Sequence, residues 1–411
     1  MLRRPLARVG LSASVTLVLA LAGCAGGGSY TRQHSSVAKE KMAAMKSAME
    51  WQTAQQQLLS GDTEKALKSI DRSLQLSPNV AKSHVLKGRI LMEQGDLEGG
   101  LTWFGTAEGL DPENPDAPYF SALVLERLRQ PEAALAKYRR AAEIEPSNPQ
   151  YVIAAAEVLM DLGRLDEAEQ ELANARSGFA HNAGINQTRG HIAKLRGDHD
   201  NALKYFEEAR LAAPDDPAIQ NDLINAQVGA RKFAEAETGI QKLLKVKGYE
   251  NRRDLRLLRA KCLVEIDRAV DAREVLVRLT TEEDGAADVE AWIELGRVAF
   301  KLKDHNRART AASRLIAIAP ERPEGYQLRA MLFRRLGALD QARENAIKAV
   351  ALAPSSENYL LLGIIERQLG NTNDARLSLG QALEIEPGNT MARAQLDQLN
   401  SGVVASVTDQ D

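Results

Sequence analysis

The feature that most constrains the fold of this 411-residue chain is a motif that returns about every 34 residues. A small residue marks each return: Ala66, Gly100, Ala134, Ala168, Ala202, Ala236, Ala272, Ala308, Ala342 and Ala375. Glycine precedes four of these by twelve positions, at Gly88, Gly190, Gly296 and Gly363. Proline closes most repeats, at Pro78, Pro112, Pro146, Pro214, Pro320, Pro354 and Pro387. Self-similarity at such a period is the signature of repeat architectures.

The spacing within one repeat predicts two antiparallel helices. The stretch from Trp292 to Pro320 shows the full motif. Gly296 and Ala308 let the two backbones approach, because no long side chain stands between them. Glycines between the two helices of a repeat supply a positive φ; they are Gly61, Gly95, Gly163, Gly197, Gly337 and Gly370. Proline cannot continue a helix and ends the second one. The motif is therefore mechanical and not catalytic.

Trp292, Leu295, Gly296, Ala308, Leu315 and Pro320 follow the order of the tetratricopeptide repeat, a family that the protein resembles. The resemblance implies an all-α fold, an α-solenoid of about ten helix-turn-helix units forming a right-handed superhelix with a concave groove. The ten units cover 47–388, a capping helix is expected at 389–400, and a disordered tail at 401–411. Repeat 6 departs from the pattern with Ile224 in the glycine position. About two extra residues precede each of repeats 7 and 8, within 247–254 and 280–288.

The N-terminus has the layout of a secretory signal over 1–23, with three arginines and an apolar run from Val9 to Ala22. The segment Leu21-Ala22-Gly23-Cys24 resembles the lipobox of bacterial lipoproteins, which implies cleavage before Cys24 and lipidation of its thiol and amine. An ordinary signal with a chance cysteine is the alternative. Ala25, in place of Asp, implies the outer membrane and a periplasmic location. Residues 24–46 are then the lipidated Cys24, a flexible tether over 25–36 and the start of the first helix.

Composition and motifs narrow the function. Aromatic residues are 4% of the sequence and the net charge is −3, which gives no general attraction to nucleic acid. Six histidines lack metal-ligand spacing, and no nucleophile elbow or phosphate-binding loop is present. We therefore predict no enzyme, no metal and no cofactor, although a triad assembled from distant repeats stays open. Cys262 is predicted to be a buried apolar residue.

The resemblance implies a partner-binding groove lined by the first helix of each repeat. The positions that face it in the family correspond here to Arg89, Tyr119, Gln187, His191, Asn221, Asn225, Arg297, Lys301, Gln327, Arg334, Arg335 and Arg367. Asn221 and Asn225 share a helix face and could hold an extended peptide backbone, or be ordinary polar surface. Arg297, Lys301, Arg334, Arg335 and Arg367 form a basic stripe suited to an acidic peptide, the C-terminus of a polypeptide or an anionic polymer, unless glutamates on neighbouring helices pair with them.

These features predict a scaffold that binds protein partners and is attached to the membrane through its N-terminal lipid. Lipoproteins that resemble it serve in the assembly of pili or secretion systems, in the insertion of outer-membrane proteins or in the recruitment of cell-wall hydrolases. Export of an exopolysaccharide is the alternative, because the basic stripe also suits an acidic polysaccharide.

Overall fold

The computed structural model describes residues 29–179 and 181–401. Within these residues it contains 21 α-helices and no strand, which confirms the all-α repeat fold. The helices are α1 Ser29–Leu59, α2 Thr63–Leu76, α3 Ala81–Glu93, α4 Leu97–Leu110, α5 Asp116–Arg127, α6 Pro131–Ile144, α7 Pro149–Asp161, α8 Leu165–Phe179, α9 Ala183–Leu195, α10 His199–Ala212, α11 Pro217–Gly229, α12 Phe233–Leu243, α13 Arg253–Glu265, α14 Ala269–Thr281, α15 Val289–Lys301, α16 His305–Ile318, α17 Glu324–Arg335, α18 Leu339–Leu352, α19 Ser356–Gln368, α20 Thr372–Ile385 and α21 Thr390–Asn400. The protein divides into two compact units, 1–178 and 179–411, which are described separately.

Successive helices pair into ten hairpins, from α1–α2 to α19–α20, and α21 packs on α20. In the first unit the first helices of neighbouring hairpins also touch, α1 with α3 and α3 with α5. In the second unit the same contacts join α13, α15, α17, α19 and α21. These first helices therefore lie side by side on one face of their unit, and their second helices lie on the other.

The turn within each hairpin has one residue at positive φ, and the ten such residues form a single column of the repeat. Six are the predicted glycines, with φ between 73° and 85°. The other four are Arg129, Arg231, Asp267 and Lys303, with φ between 57° and 59°. A non-glycine residue in this region costs about 1–2 kcal/mol. The left-handed turn is thus a requirement of the repeat that persists even without glycine.

Helix ends follow from the sequence. Asp62, Asp96, Asp198 and Asp304 each accept a hydrogen bond from the backbone N–H three residues later, which caps a second helix. Every second helix that is followed by one of the predicted prolines ends two residues before it, as α16 ends at Ile318 before Pro320. The role predicted for proline is confirmed.

The helix crossings are closed by pairs of a small and a large residue. A Cβ placed on Gly88 would lie 2.5 Å from the Phe104 ring, and one on Gly190 would lie 2.6 Å from the Phe206 ring. Both rings are fully buried. Glycine is needed there because the ring occupies the space of its missing side chain.

Repeat 6 closes its crossing with a different pair. Its large residue is Ile224 on the first helix, and its small residue is Gly239 on the second, where an added Cβ would lie 2.9 Å from the Ile224 Cγ1 atom. Ile224 is completely buried. The departure seen in the sequence is therefore compensated fifteen residues later by a glycine.

The insertion before repeat 8 forms a 3-10 turn over Glu283–Ala287. The indole Nε1 of Trp292 donates a hydrogen bond of 3.0 Å to the Gly285 carbonyl oxygen. A Cβ on Gly285 would lie 1.9 Å from the carbonyl oxygen of Leu279, so only glycine fits. Trp292 thus packs against the core of repeat 8 and also holds the inserted 3-10 turn against that repeat.

Three predictions concern the ends of the sequence: the signal segment, the flexible tether and the C-terminal tail. The signal segment 1–23 and Cys24 lie outside the described residues, as do residues 402–411 of the predicted tail. Helix α1 begins at Ser29, so the stretch predicted to be a flexible tether, 25–36, is helical from that residue onward. The adjoining residues are mostly Ala, Lys, Glu, Met and Gln, which have high helix propensity and extend the helix toward the N-terminus.

Cys262 on α13 is 1% exposed, as predicted. Burial, with the nearby Glu237 carboxylate, raises the pKa of its thiol to about 11. A thiol in such surroundings stays protonated near neutral pH and is a poor nucleophile.

Candidate functional site: the face of the first helices

The clearest polar cluster on the face of the first helices joins repeats 5 and 6. Gln187 and His191 lie one turn apart on α9, and both reach Asp222 on α11. The Gln187 Nε2 atom donates to Asp222 Oδ2 at 2.7 Å, and the His191 Nε2 atom lies 3.2 Å from the same oxygen. The two predicted groove residues are therefore brought together by a carboxylate that the sequence analysis did not include.

Asp222 is partly buried, with 19% of its side chain exposed. Burial of the carboxyl raises its pKa, but hydrogen bonds from His191 and Gln187 outweigh that effect, so the pKa of Asp222 lies below its ordinary value. The ionised carboxylate fixes the positions of both side chains.

The depressed pKa of Asp222 predicts an acid-dependent loss of stability. A carboxyl whose pKa is lower in the folded state stabilises that state above its unfolded pKa, about 3.9, and the contribution disappears as the pH falls through the folded value. We expect Asp222→Asn to lower the free energy of unfolding at pH 7 by about 1 kcal/mol and to have a smaller effect at pH 2. Chemical denaturation at both pH values measures this difference. An equal loss at both would show that ionisation is not involved.

Asn221 and Asn225 lie one turn apart on α11, as predicted. The Asn225 side chain is exposed, but its Nδ2 atom donates a hydrogen bond of 3.0 Å to the Asn221 backbone carbonyl oxygen. This local bond leaves the Asn225 amide oxygen to accept a hydrogen bond from a partner. The Asn225 amide oxygen is thus one acceptor that the pair can offer, and the role of the pair in binding stays a prediction.

The basic stripe lies on α15, α17 and α19 of the second unit. The Arg297 Nη1 atom is 3.5 Å from Glu294 Oε1, and the Lys301 Nζ atom is 3.3 Å from Asp267 Oδ1. Their side chains remain 66% and 53% exposed. Such exposed pairs contribute about 0–1 kcal/mol, so a partner can compete for these cations.

The remaining stripe residues contact their neighbours differently. The Arg335 guanidinium lies 5.1 Å from the centre of the Phe300 ring. The Arg367 Nη1 atom donates to Gln398 Oε1 at 2.7 Å, and Arg334 lies one residue before Arg335 at the end of α17. The ion pairs of Arg297 and Lys301 are not the expected pairs with glutamates on neighbouring helices: Glu294 is on the same helix as Arg297, and the partner of Lys301 is Asp267, in the turn between α13 and α14.

A pocket of about 160 Å³ lies beside the stripe, between α15 and α17. Its apolar walls are Ile293, Phe300, Leu328 and Met331, and its polar rim is Arg297, Glu324 and Gln327. The Glu324 carboxylate is held by Arg322 at 2.6 Å, and the Gln327 Nε2 atom donates to Asn358 at 2.6 Å. The pocket therefore offers an apolar cavity with one exposed arginine at its edge.

Arg89 and Tyr119 belong to the first unit and have structural contacts there. The Arg89 guanidinium stacks 4.6 Å from the Phe120 ring centre. The Tyr119 ring packs within 5.3–5.8 Å of Phe120, Tyr138 and Tyr151. This aromatic cluster gives Tyr119 a packing role in addition to the predicted one.

Three functional candidates were missing from the prediction. Lys261 occupies in repeat 7 the position that His191 occupies in repeat 5 and Arg297 in repeat 8, so the family pattern would have found it; its Nζ atom lies 3.7 Å from Glu294. Asp222 lies at a position that the family pattern does not assign to the groove. Glu294, 15% exposed, lies between Lys261 and Arg297, and only the packing of α13 against α15 reveals it.

Neither a metal site nor a membrane-spanning helix is found within residues 29–179 and 181–401. No group of three histidine, cysteine, aspartate or glutamate side chains in these ranges could hold a metal ion. Likewise, none of the helices from α1 to α21 combines the length and the apolar character needed to cross a membrane.

Paired helices that follow one another along the sequence, with one polar and partly basic face, define a protein of the helical-repeat class. Models of the tetratricopeptide repeat match residues 54–115, 125–183, 195–248, 257–323 and 356–389. The protein belongs to the tetratricopeptide repeat family, whose members are scaffolds for protein interactions.

Individual relatives are distant. The TPR repeat-containing protein YpiA of Bacillus subtilis (strain 168) is 24% identical over 148 residues, covering 36% of this chain and 34% of that protein. The cellulose synthase 2 operon protein C of Komagataeibacter xylinus is 23% identical over 339 residues, covering 76% of this chain and 24% of that protein. The sequence thus spans about a third of the length of YpiA and about a quarter of the length of the cellulose synthase 2 operon protein C. The structure of Pseudomonas aeruginosa pilF is similar with a TM-score of 0.43 at 18% identity, over 51% of this chain and 94% of that one.

Proposed function

We propose that the protein is a non-catalytic scaffold that binds an extended segment of a protein partner on the face formed by α9, α11, α13, α15, α17 and α19. The observation that carries this proposal is the apolar pocket beside the basic stripe, with Arg297 common to both. An apolar side chain of the partner would enter the pocket between Ile293 and Met331. An acidic residue next to it would pair with Arg297, which is exposed and only weakly held by Glu294.

The polar part of the same face would hold the backbone of the partner. Asn225 offers an acceptor, and the Gln187–His191–Asp222 cluster keeps α9 and α11 in register. An extended peptide has unpaired N–H and C=O groups, which side-chain amides can satisfy. Binding would therefore combine one apolar anchor, charge pairing and backbone hydrogen bonds.

We further propose that this scaffold works in the cell envelope, attached to the periplasmic side of the outer membrane through lipid on Cys24. The support is the sequence of residues 1–24, in which charge, apolar run, small residues and cysteine occur in the order of a lipoprotein signal. Assembly of a pilus, a secretion system or the outer membrane requires adaptors of this kind.

A second candidate is a scaffold for export of a polysaccharide. Its support is the similarity over 76% of the sequence to a protein of a cellulose synthase operon, together with the basic stripe. A polysaccharide would use Lys301, Arg335 and Arg367 but would have no use for the apolar pocket.

Crosslinking in cells tests the first candidate. We expect a photoreactive amino acid in place of Met331, in the pocket, to yield one or a few specific protein adducts identified by mass spectrometry. The matched control places it at Arg309, an exposed position on the second helix α16 of repeat 8. Equal adducts from both positions would contradict the proposal. Carbohydrate adducts from the same photoreactive residue at Lys301, with no protein adduct at position 331, would favour the second candidate.

A further inference from the structure

A second pocket, of about 390 Å³, lies between the second helices α10 and α12 of the second unit. Gln220, Leu223 and Gln227 of α11 form its floor. These residues are spaced by three and four positions and so share one side of the helix. Asn221 and Asn225 lie on the other side, so this pocket is separate from the proposed partner-binding face.

Gly239 lines this pocket. An added Cβ at this position would lie 3.0 Å from the Gln220 Nε2 atom. Counted from the small residue of each repeat, Gly239 corresponds to Trp103 in repeat 2 and Tyr205 in repeat 5. In those repeats a cation lies over the ring, Lys87 at 4.0 Å and Arg189 at 4.3 Å.

Repeat 6 contains neither the cation nor the aromatic ring of this pair. The residue corresponding to Lys87 and Arg189 is Leu223, which is 3% exposed. Repeat 6 therefore has no aromatic ring of its own at the place that holds one in two other repeats, and Leu223 and Gly239 line the pocket there. An indole or phenol ring from outside would have room above Leu223 and Gly239.

Three polar groups at the pocket lack partners among the described residues. Gln227 is only 9% exposed, and its Oε1 atom accepts no hydrogen bond from any described residue. A buried acceptor without a donor is unfavourable, so this atom favours a ligand that carries an N–H or O–H group. The rim cations Arg210 and Lys242 form no ion pair within 4.0 Å in the part of the protein that the structure describes. Cations so placed can lie over or beside an aromatic ring.

We propose that this pocket binds the side chain of a tryptophan or tyrosine from a protein partner. The ring lies on Leu223 and Gly239, its N–H or O–H group donates to Gln227 Oε1, and Lys242 covers the exposed edge. Tryptophan and tyrosine combine a large apolar ring with a hydrogen-bond donor. They therefore complement a pocket that has an apolar floor and an acceptor without a donor. This site lies on the second helices and does not depend on the function proposed for the first helices.

The probes for this site are N-acetyl-L-tryptophanamide and N-acetyl-L-tyrosinamide, with N-acetyl-L-leucinamide as an apolar probe without a side-chain donor. Saturation-transfer NMR on the purified protein measures their dissociation constants. We expect saturable binding of both aromatic probes and at least about fivefold weaker binding of the leucine probe, because it cannot satisfy Gln227.

Three variants assign the binding to this pocket. Gln227→Leu is expected to weaken the tryptophan probe about fivefold while the thermal midpoint stays equal or rises, because an unpaired acceptor is removed. Lys242→Ala is expected to weaken it about threefold. Lys348→Ala, at the corresponding position of α18 in repeat 9, is the matched control and should change nothing.

Four results would overturn the proposal. They are the absence of saturable binding by the tryptophan probe, unchanged binding in Gln227→Leu, equal binding of the leucine probe, and displacement of the tryptophan probe by free glutamate or arginine. The last result would assign the pocket to a charged small molecule. Because Gln227→Leu is expected to fold normally, its result decides the outcome even if a pocket-filling Gly239→Leu variant does not fold.

Discussion

Replacement of Gly190 by alanine is expected to destabilise the protein by about 1–3 kcal/mol, although alanine is the better helix former. The added Cβ would lie 2.6 Å from the ring of Phe206, which is buried and cannot move away without disturbing repeat 5. Denaturant unfolding followed by circular dichroism measures the change.

Two companion variants make this result specific. Gly380→Ala on α20 is the matched control, because an added Cβ there meets nothing within 4 Å. It is expected to stabilise the protein by up to about 1 kcal/mol through helix propensity alone. Phe206→Ala should cost about 3–5 kcal/mol by leaving a cavity, and in that background Gly190→Ala should become neutral or stabilising. If Gly190→Ala and Gly380→Ala stabilised the protein alike, the small–large pairing would not govern the crossing.

Charge reversal at Arg297 is expected to have the largest effect on partner binding. Arg297→Glu should weaken capture of the crosslinked partner about tenfold or more, because it replaces attraction of an acidic segment by repulsion at the pocket rim. The fold should be unaffected, since Arg297 is 66% exposed and makes only a 3.5 Å contact with Glu294. Titration of the purified partner by calorimetry at two salt concentrations gives the affinities.

Arg309→Glu on α16 is the control, because it makes the same change of charge in the same repeat on the opposite side of the hairpin. Binding to the unmodified protein should weaken with salt, and binding to the Arg297 variant should be less sensitive. An equal loss in both variants would show that net charge, and not the groove, controls binding.

The sequence alone was sufficient for the fold because its constraints are local. The column of small residues, the turn glycines and the prolines each act within one hairpin, and the helices begin and end where these residues predict. Even Lys303, which is not a glycine, adopts the left-handed turn that its position in the repeat demands.

The site was less predictable because its contacts join different repeats. Gln187 and His191 are recognisable as groove residues, but their common partner Asp222 lies about one repeat later and at a position that the family pattern does not assign to the groove. The pocket beside Arg297 depends on how α15 packs against α17, which spacing within one repeat does not define. Gly239 is an ordinary helix residue in the sequence, and only its distance from Ile224 and Gln220 explains it.

The alternation of small and large residues at the crossings has a consequence for how such a protein can be recombined. A second helix is matched to its own first helix: α10 placed against α11 would press the Phe206 ring on Ile224, and α12 placed against α9 would set Ile240, a smaller side chain, where Phe206 packs on Gly190, and leave part of that space empty. Complete hairpins, cut between a proline and the next repeat, are therefore the exchangeable modules of this protein, and single helices are not.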